Sequence, residues 1–344
     1  MKIKNIIYYC AKFAGLFFLA RLRHRSGARI LCYHGFSIDD EHHFRPRLFV
    51  TADLFERRLE QIAHLGFKVV SLDTLVAEME AGTLAPNSLV ITVDDGLQGV
   101  ENIAAPLLKK YGFDWTLYLT TYYCEKQTQI LNLAVQYFCW KTRKKFSEVS
   151  RQMATFGCAS SVTSELNSET VVNELVYYGQ SLPSDEARQE FLRELAQILE
   201  VDQVACEQKR MFNLINAESV RKLHDQHVHI ELHTHRHRPV SELSEKKLAM
   251  EIAENKVSIE KMCGAKAMHF CYPSGTFEEH QKNWLAKLEV TSATTCVPGL
   301  NYPGQSLFSL NRFLDSQLIP DIVFEAELSG FADIVRHIRP RIGR

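Results

Sequence analysis

Two adjacent carboxylates, Asp94 and Asp95, stand between the apolar run 88–93 and Gly96. The run is rich in β-branched residues and reads as a buried strand. Two acids at its end cannot both be buried and ionised without partners, and a metal ion is one such partner. Far downstream lie three histidines in five residues, His233-Thr234-His235-Arg236-His237. His233 and His237 are four apart, so within one helical turn they project to the same side. Two imidazoles and a carboxylate form a common open site for a divalent ion such as Zn²⁺. Such an ion lowers the pKa of its water to about 7 and polarises a carbonyl oxygen. A second carboxylate beside it can act as base. The Asp-Asp pair offers one ligand and one base.

These residues need a scaffold that brings residues 94 and 233 together. Arg29–Tyr33 reads as a short strand ending at His34-Gly35, followed by a polar loop over residues 37–47. Thr51 caps a helix with apolar positions Leu54, Phe55, Leu59 and Ile62, closed by Gly66. Strands over 67–70 and 115–119 and helices over 72–80 and 99–111 flank the Asp-Asp strand. Strands alternating with helices at this pace indicate parallel βαβ units. In such folds the active site lies at the carboxyl ends of the strands. Residues 125–212 carry helical patterns and few strand signals, so they read as a helical insertion that either covers the cleft or buttresses the barrel. The alternation then resumes. Asn216 caps a helix over 217–224, and a strand over 228–232 leads into the histidines. An amphipathic helix over 244–263 has Leu248, Ile252, Val257 and Ile259 among its apolar positions. A strand over 268–272 ends in Pro273-Ser274-Gly275, and a helix around 280–288, a short strand near 293–295 and the segment 310–314 complete the catalytic part.

The formal net charge of −1 gives no general attraction to nucleic acid. Nine cysteines without a CxxC pair suit a reducing compartment better than a disulfide scaffold. Residues 6–20 are largely apolar, interrupted by Lys12 and followed by Arg21, Arg23 and Arg25. That pattern fits a basic, apolar helix on a membrane surface, with a packing helix, or a signal or anchor segment, as the alternatives. The expected location is the cytoplasm or the inner face of the membrane.

In combination these motifs resemble the polysaccharide deacetylase family, the NodB-homology carbohydrate esterases. Thr92-Val93-Asp94-Asp95-Gly96 resembles the family's T-F-D-D-G, and His233 to His237 its H-[ST]-x-x-H. Tyr272-Pro273-Ser274-Gly275 resembles its Y-P-x-G segment, and Leu310-Asn311-Arg312-Phe313 its late Leu-x-Arg segment. The similarity spans about residues 29–320, leaving an N-terminal helix over 1–28 and a helical tail over 321–344. The resemblance implies an α/β fold, a distorted, incomplete (β/α) barrel, here with the helical insertion. It implies Asp94 as base and Asp95, His233 and His237 as ligands of a divalent ion: Zn²⁺, or Co²⁺, Ni²⁺ or Fe²⁺. It also implies the Tyr272 backbone N–H as an oxyanion donor. Two departures matter. No arginine stands in the stretch before Tyr272, and Leu310-Asn311-Arg312 lacks the family's late histidine. The acid is therefore open among His34, His235 and His269, and Arg312 is a candidate to orient Asp94.

The expected activity is metal-dependent removal of an N-acetyl or O-acetyl group from a polysaccharide or its sugar precursor. One alternative is a deformylase or deacetylase of a lipid-linked amino sugar at the membrane. Another is an inactive carbohydrate-binding relative.

Overall fold

A computed structural model describes residues 3–157, 166 and 168–338. Its strands are β1 (Arg29–Tyr33), β2 (Gly35–Phe36), β3 (Phe49–Val50), β4 (Lys68–Val69), β5 (Ser88–Asp95), β6 (Thr116–Leu119), β7 (His229–Leu232), β8 (His269–Cys271), β9 (Ser292–Thr294) and β10 (Phe313–Leu314). All pairings between these strands are parallel. The main sheet runs β10-β1-β5-β6-β7-β8-β9, with β4 pairing the start of β5. A parallel bridge from Thr294 to Leu310, just ahead of β10, brings the two ends of the curled sheet together. β2 and β3 form a separate ribbon beside it.

Strand periodicity sorts side chains into two layers. Leu89, Ile91 and Val93 of β5 join the large outer core beneath the helices, with Leu117, Leu119, Ile230, Leu232 and Phe270. Val90 joins an inner cluster with Ile30, Tyr118, Cys271 and Leu310. The helix Leu72–Ala81 lays Leu72, Leu75, Val76 and Met79 against that inner cluster. Thr92 and Asp94 share the inward face with Val90, so the alternation aims Asp94 into the barrel.

The helix Glu245–Cys263 buries Leu248, Ile252, Ile259 and Met262 together with Glu251, Asn255 and Ser258. Val257, expected on that face, is 65% exposed. It lies two residues from both Asn255 and Ile259, which turns it to the opposite side of a helix with 3.6 residues per turn.

The insertion is helical: Leu131–Lys141, Phe146–Thr155, Glu169–Ser181, Asp185–Ile198 and Gln203–Gln208. The Ser184 hydroxyl caps the fourth of these by accepting from Ala187 N at 3.2 Å. Residues 158–165 and 167, inside the same expected segment, lie outside the described residues. The expected tail contains two helices, Asp321–Ser329 and Phe331–Ile338, and residues 339–344 lie outside the described part. The helices Ile3–Phe13 and Leu16–Arg23 pack on this pair, burying Tyr8, Ala11 and Phe17 against Ile322, Val323, Ala326 and Ala332.

Candidate active site

β5 ends by placing Asp94 and Asp95 on opposite sides of the strand. Asp95 has φ 71, in the left-handed region that an L-residue enters only at a cost. Gly96 follows at φ 91, and a Cβ there would sit 2.5 Å from Leu119 Cδ1. Glycine is required at this turn by both conformation and space. Thr234 (φ 57) and His237 (φ 54) also sit in the left-handed region. The turn after β7 is thus wound tightly enough to return His237 to His233.

The two histidines converge on one oxygen. His233 Nε2 and His237 Nε2 each lie 3.3 Å from Asp95 Oδ1. That oxygen is buried and has no hydrogen-bond partner. A buried carboxylate oxygen without a donor, flanked by two imidazole nitrogens, is an arrangement that a cation completes. His233 is oriented from behind: its Nδ1 lies 2.9 Å from Cys271 O, and its backbone N–H donates to Asn255 Oδ1 at 2.9 Å. Such outer contacts fix which ring nitrogen faces a metal. Burial lowers the pKa of His237, favouring the neutral ring that a metal ligand requires.

Asp94 is held differently. Arg312 Nη1 donates to Oδ1 at 2.7 Å and Nη2 to Oδ2 at 2.8 Å, a two-pronged pair in which both side chains are almost fully buried. Arg312 is fixed in turn by Thr295 O at 2.9 Å and Thr92 Oγ1 at 3.1 Å. The thiols of Cys32 (3.5 Å) and Cys271 (3.4 Å) donate to Asp94 Oδ2. Burial would raise the Asp94 carboxyl, but the Arg312 guanidinium outweighs it and holds the group well below the usual carboxylate range. Burial likewise opposes ionisation of Asp95, and the facing imidazoles of His233 and His237 outweigh it, leaving the carboxyl at about 2. Cys32, Cys271, His34 and His233 also lie close enough to Asp94 to form ligand-like groups with it. Arg312 occupies both oxygens of Asp94 and would repel a cation placed there, so the trio Asp95, His233 and His237 is the better cation site.

The three histidines considered as acids occupy different places. His34 follows β1 into the site, with Nε2 3.7 Å from Asp94 Oδ2 and its side chain 21% exposed. His235 turns away: Nδ1 meets Thr121 Oγ1 at 2.8 Å, and Nε2 lies 3.8 Å from Glu254. His269 lies deeper, with Nδ1 2.8 Å from Ser292 Oγ and Nε2 2.9 Å from Asp73 Oδ1. It stands two residues before Cys271 on β8, about 7 Å further down the strand. The Tyr272 N–H, expected as an oxyanion donor, already donates to Thr294 O at 3.2 Å. The pairing of β8 with β9 takes up that donor. Cys32 and Cys271 are the site residues that the motifs did not single out. Their signal is positional: Cys32 is two residues from His34, and Cys271 ends β8.

His269 belongs to a polar cluster at the lower end of the barrel. Asp73 bridges it to His229 Nδ1 at 2.9 Å, while Glu231 Oε2 accepts from the backbone N–H groups of Met268 (2.8 Å) and His269 (2.7 Å). Burial raises the Glu231 carboxyl to about 7, with His269 opposing the shift. An acid raised on folding loses stability as pH climbs from its ordinary value, 4.5, through about 7. Glu231→Gln keeps an acceptor for both N–H groups and removes the charge. It should gain about 1–3 kcal/mol at pH 8 and nothing at pH 4.5, read as melting temperature at the two pH values.

A family model for polysaccharide deacetylase matches residues 185–293, the stretch holding His233, His237 and Tyr272. Over that stretch the chain is similar to the polysaccharide deacetylase family. Its class is hydrolase, acting on amide-linked acyl groups. The fold is similar to the deacetylase PplD of Streptococcus pyogenes in complex with acetate, at 16% identity and TM-score 0.57, over 88% of this chain and 98% of that one. It is similar to a de-N-acetylase from Aggregatibacter actinomycetemcomitans, at 14% identity and TM-score 0.56, over 88% and 99%. It is similar also to IcaB from Ammonifex degensii, at 15% identity and TM-score 0.56, over 88% and 97%. At these identities the likeness establishes the fold. No curated protein matches it by sequence.

Proposed function

We propose that this deacetylase removes an N-acetyl group from an amino sugar in a polysaccharide or its precursor, with Asp94 as base and His34 as acid. The observation that carries this reading is the division of labour between two neighbouring carboxylates. Asp95 has an unpartnered oxygen facing two imidazoles, whereas Asp94 is locked by Arg312. A divalent ion held by Asp95, His233 and His237, most simply Zn²⁺, would supply Lewis acidity to the acyl oxygen and to a water. Asp94 accepts a proton as water adds to the acyl carbon. Arg312 keeps that carboxylate ionised and fixed in angle, at the expense of some basicity. His34, the half-buried histidine beside Asp94, donates a proton to the amine nitrogen as the C–N bond breaks. The products are acetate and the free amino sugar.

The test is acetate release from N-acetylhexosamine oligomers, with bound metal measured on the same sample. The wild type should carry one divalent ion and release acetate, and a chelator should abolish both. His34→Gln should keep the ion and lose about 10²-fold in turnover on the amide. On an acetate ester with a phenol-type leaving group it should lose little, because that group departs without an acid. An amide rate equal to wild type would remove His34 from the mechanism.

A second substrate is a formylated or acetylated amino sugar carried on a lipid. The exposed apolar N-terminal helices favour it. The proposed location is the cytoplasmic side of the membrane. The eight described cysteines are all unpaired, in keeping with a reducing compartment.

A further inference from the structure

Sixteen large hydrophobic side chains are exposed among the described residues, and eight of them fall within residues 6–22: Ile6, Ile7, Tyr9, Phe13, Leu16, Phe18, Leu19 and Leu22. Phe13 is 90% exposed, and Phe18 and Leu19 are more than half exposed. These residues occupy the two helices that pack on Asp321–Ser329 and Phe331–Ile338. The inward face is satisfied by Tyr8, Ala11, Phe17 and Ala20, all buried. The outward face is as apolar as the inward one, and its large side chains stay exposed among the described residues. Soluble surfaces rarely concentrate large apolar side chains in this way without a partner.

Charge identifies the partner. Residues 1–25 contain six Lys or Arg (2, 4, 12, 21, 23 and 25) and no Asp or Glu. The rest of the chain then holds 40 − 6 = 34 basic against 41 acidic residues, so a strongly basic segment is attached to an acidic body. Arg23 and Arg25 are exposed directly after the apolar face, whereas Lys12 is half-exposed and paired with Glu325 at 2.6 Å. The two helices meet at 82°, and Gly15 at the corner has φ 76, open to glycine without strain. No single described helix is long and apolar enough to cross a bilayer. Two short helices bent at a right angle, each apolar outward and bordered by cations, can lie in the headgroup layer.

We propose that residues 6–25 are a docking surface for an anionic lipid bilayer, on which the barrel sits as a rigid body. This goes beyond the hydrolytic reading and does not depend on it. Vesicle flotation of the full chain tests it, comparing phosphatidylcholine vesicles with vesicles of phosphatidylcholine and about one-third phosphatidylglycerol. The chain should float with the anionic vesicles and bind about tenfold more weakly to the neutral ones or in high salt. Phe13→Ser/Phe18→Ser/Leu19→Ser should stay behind at an unchanged melting temperature, since none of the three side chains is buried. Arg23→Gln/Arg25→Gln should weaken flotation, by roughly fivefold per charge. Acetate release from a soluble oligomer should be the same in all of them. The proposal is overturned if the wild type fails to float with anionic vesicles. It is overturned equally if light scattering shows a wild-type dimer that the triple serine variant abolishes, because the face would then belong to a second copy.

Discussion

Asp94→Asn should retain its metal and lose turnover by about 10²–10⁴-fold, the usual contribution of a positioned base. Asn keeps the shape of the side chain and one acceptor oxygen for Arg312, but it cannot take a proton. Asp95, His233 and His237 are untouched, so metal content should equal that of the wild type. The substitution also leaves the Arg312 guanidinium buried without its counter-charge. Removing one partner of a buried pair costs about 3–5 kcal/mol, so the melting temperature should fall even though the metal stays. Turnover and metal content measured on one preparation decide the assignment. A variant with full activity would mean that another group accepts the proton.

The second large effect is expected at Arg312. In Arg312→Met, Asp94 stays buried (1% exposed) but loses both charge-assisted hydrogen bonds. Folding should weaken by about 3–5 kcal/mol near neutral pH. The sign of the pH dependence also reverses. In the wild type the carboxyl is depressed, so its stabilisation is present above its ordinary value, 3.8, and is lost only as the pH falls towards the folded value. Without the guanidinium, burial governs and the carboxyl rises. Stability is then lost as pH increases past 3.8, and the acidic limb of the activity profile moves towards neutrality. Denaturation midpoints and kcat against pH would show both shifts. The double variant Asp94→Asn/Arg312→Met should be more stable than the sum of the single losses predicts, because no unpaired charge remains buried.

The strand ending in Asp94-Asp95 is legible from residues because a β-branched run followed by Asp-Asp-Gly leaves few other readings. The same holds for the turn that pairs His233 with His237. The role of Arg312 is only half legible. Its position in a Leu-x-Arg segment marks it, but its grip on Asp94 spans 218 residues and arises from β10 lying beside β1, the neighbour of β5. His269 illustrates the converse. It stands near a site motif in sequence, yet two residues along a strand carry it below the chemistry to Asp73. The partner of the Tyr272 N–H is not legible locally, because its acceptor, Thr294 O, comes from β9, which the chain reaches 22 residues later. Val257 is apolar yet exposed, because two residues from Ile259 the helix has turned it to the opposite side. Local patterns thus locate strand ends and caps, while side-chain direction and pairing partners are set by how the barrel closes.

The packing of residues 3–23 on residues 321–338 has a consequence for how the chain is made. While the first helices leave the ribosome, the surface that covers Tyr8 and Phe17 lies some 300 residues in the future. β1 likewise waits for Phe313 and Leu314, and the buried Arg58 for Asp315. Contacts so distant in sequence form late. For most of synthesis the N-terminal segment is apolar on both faces and bears its cluster of positive charge. On the proposed docking, the segment would meet a bilayer with both faces early in synthesis, and completion of the C-terminal helices would limit that contact to one face.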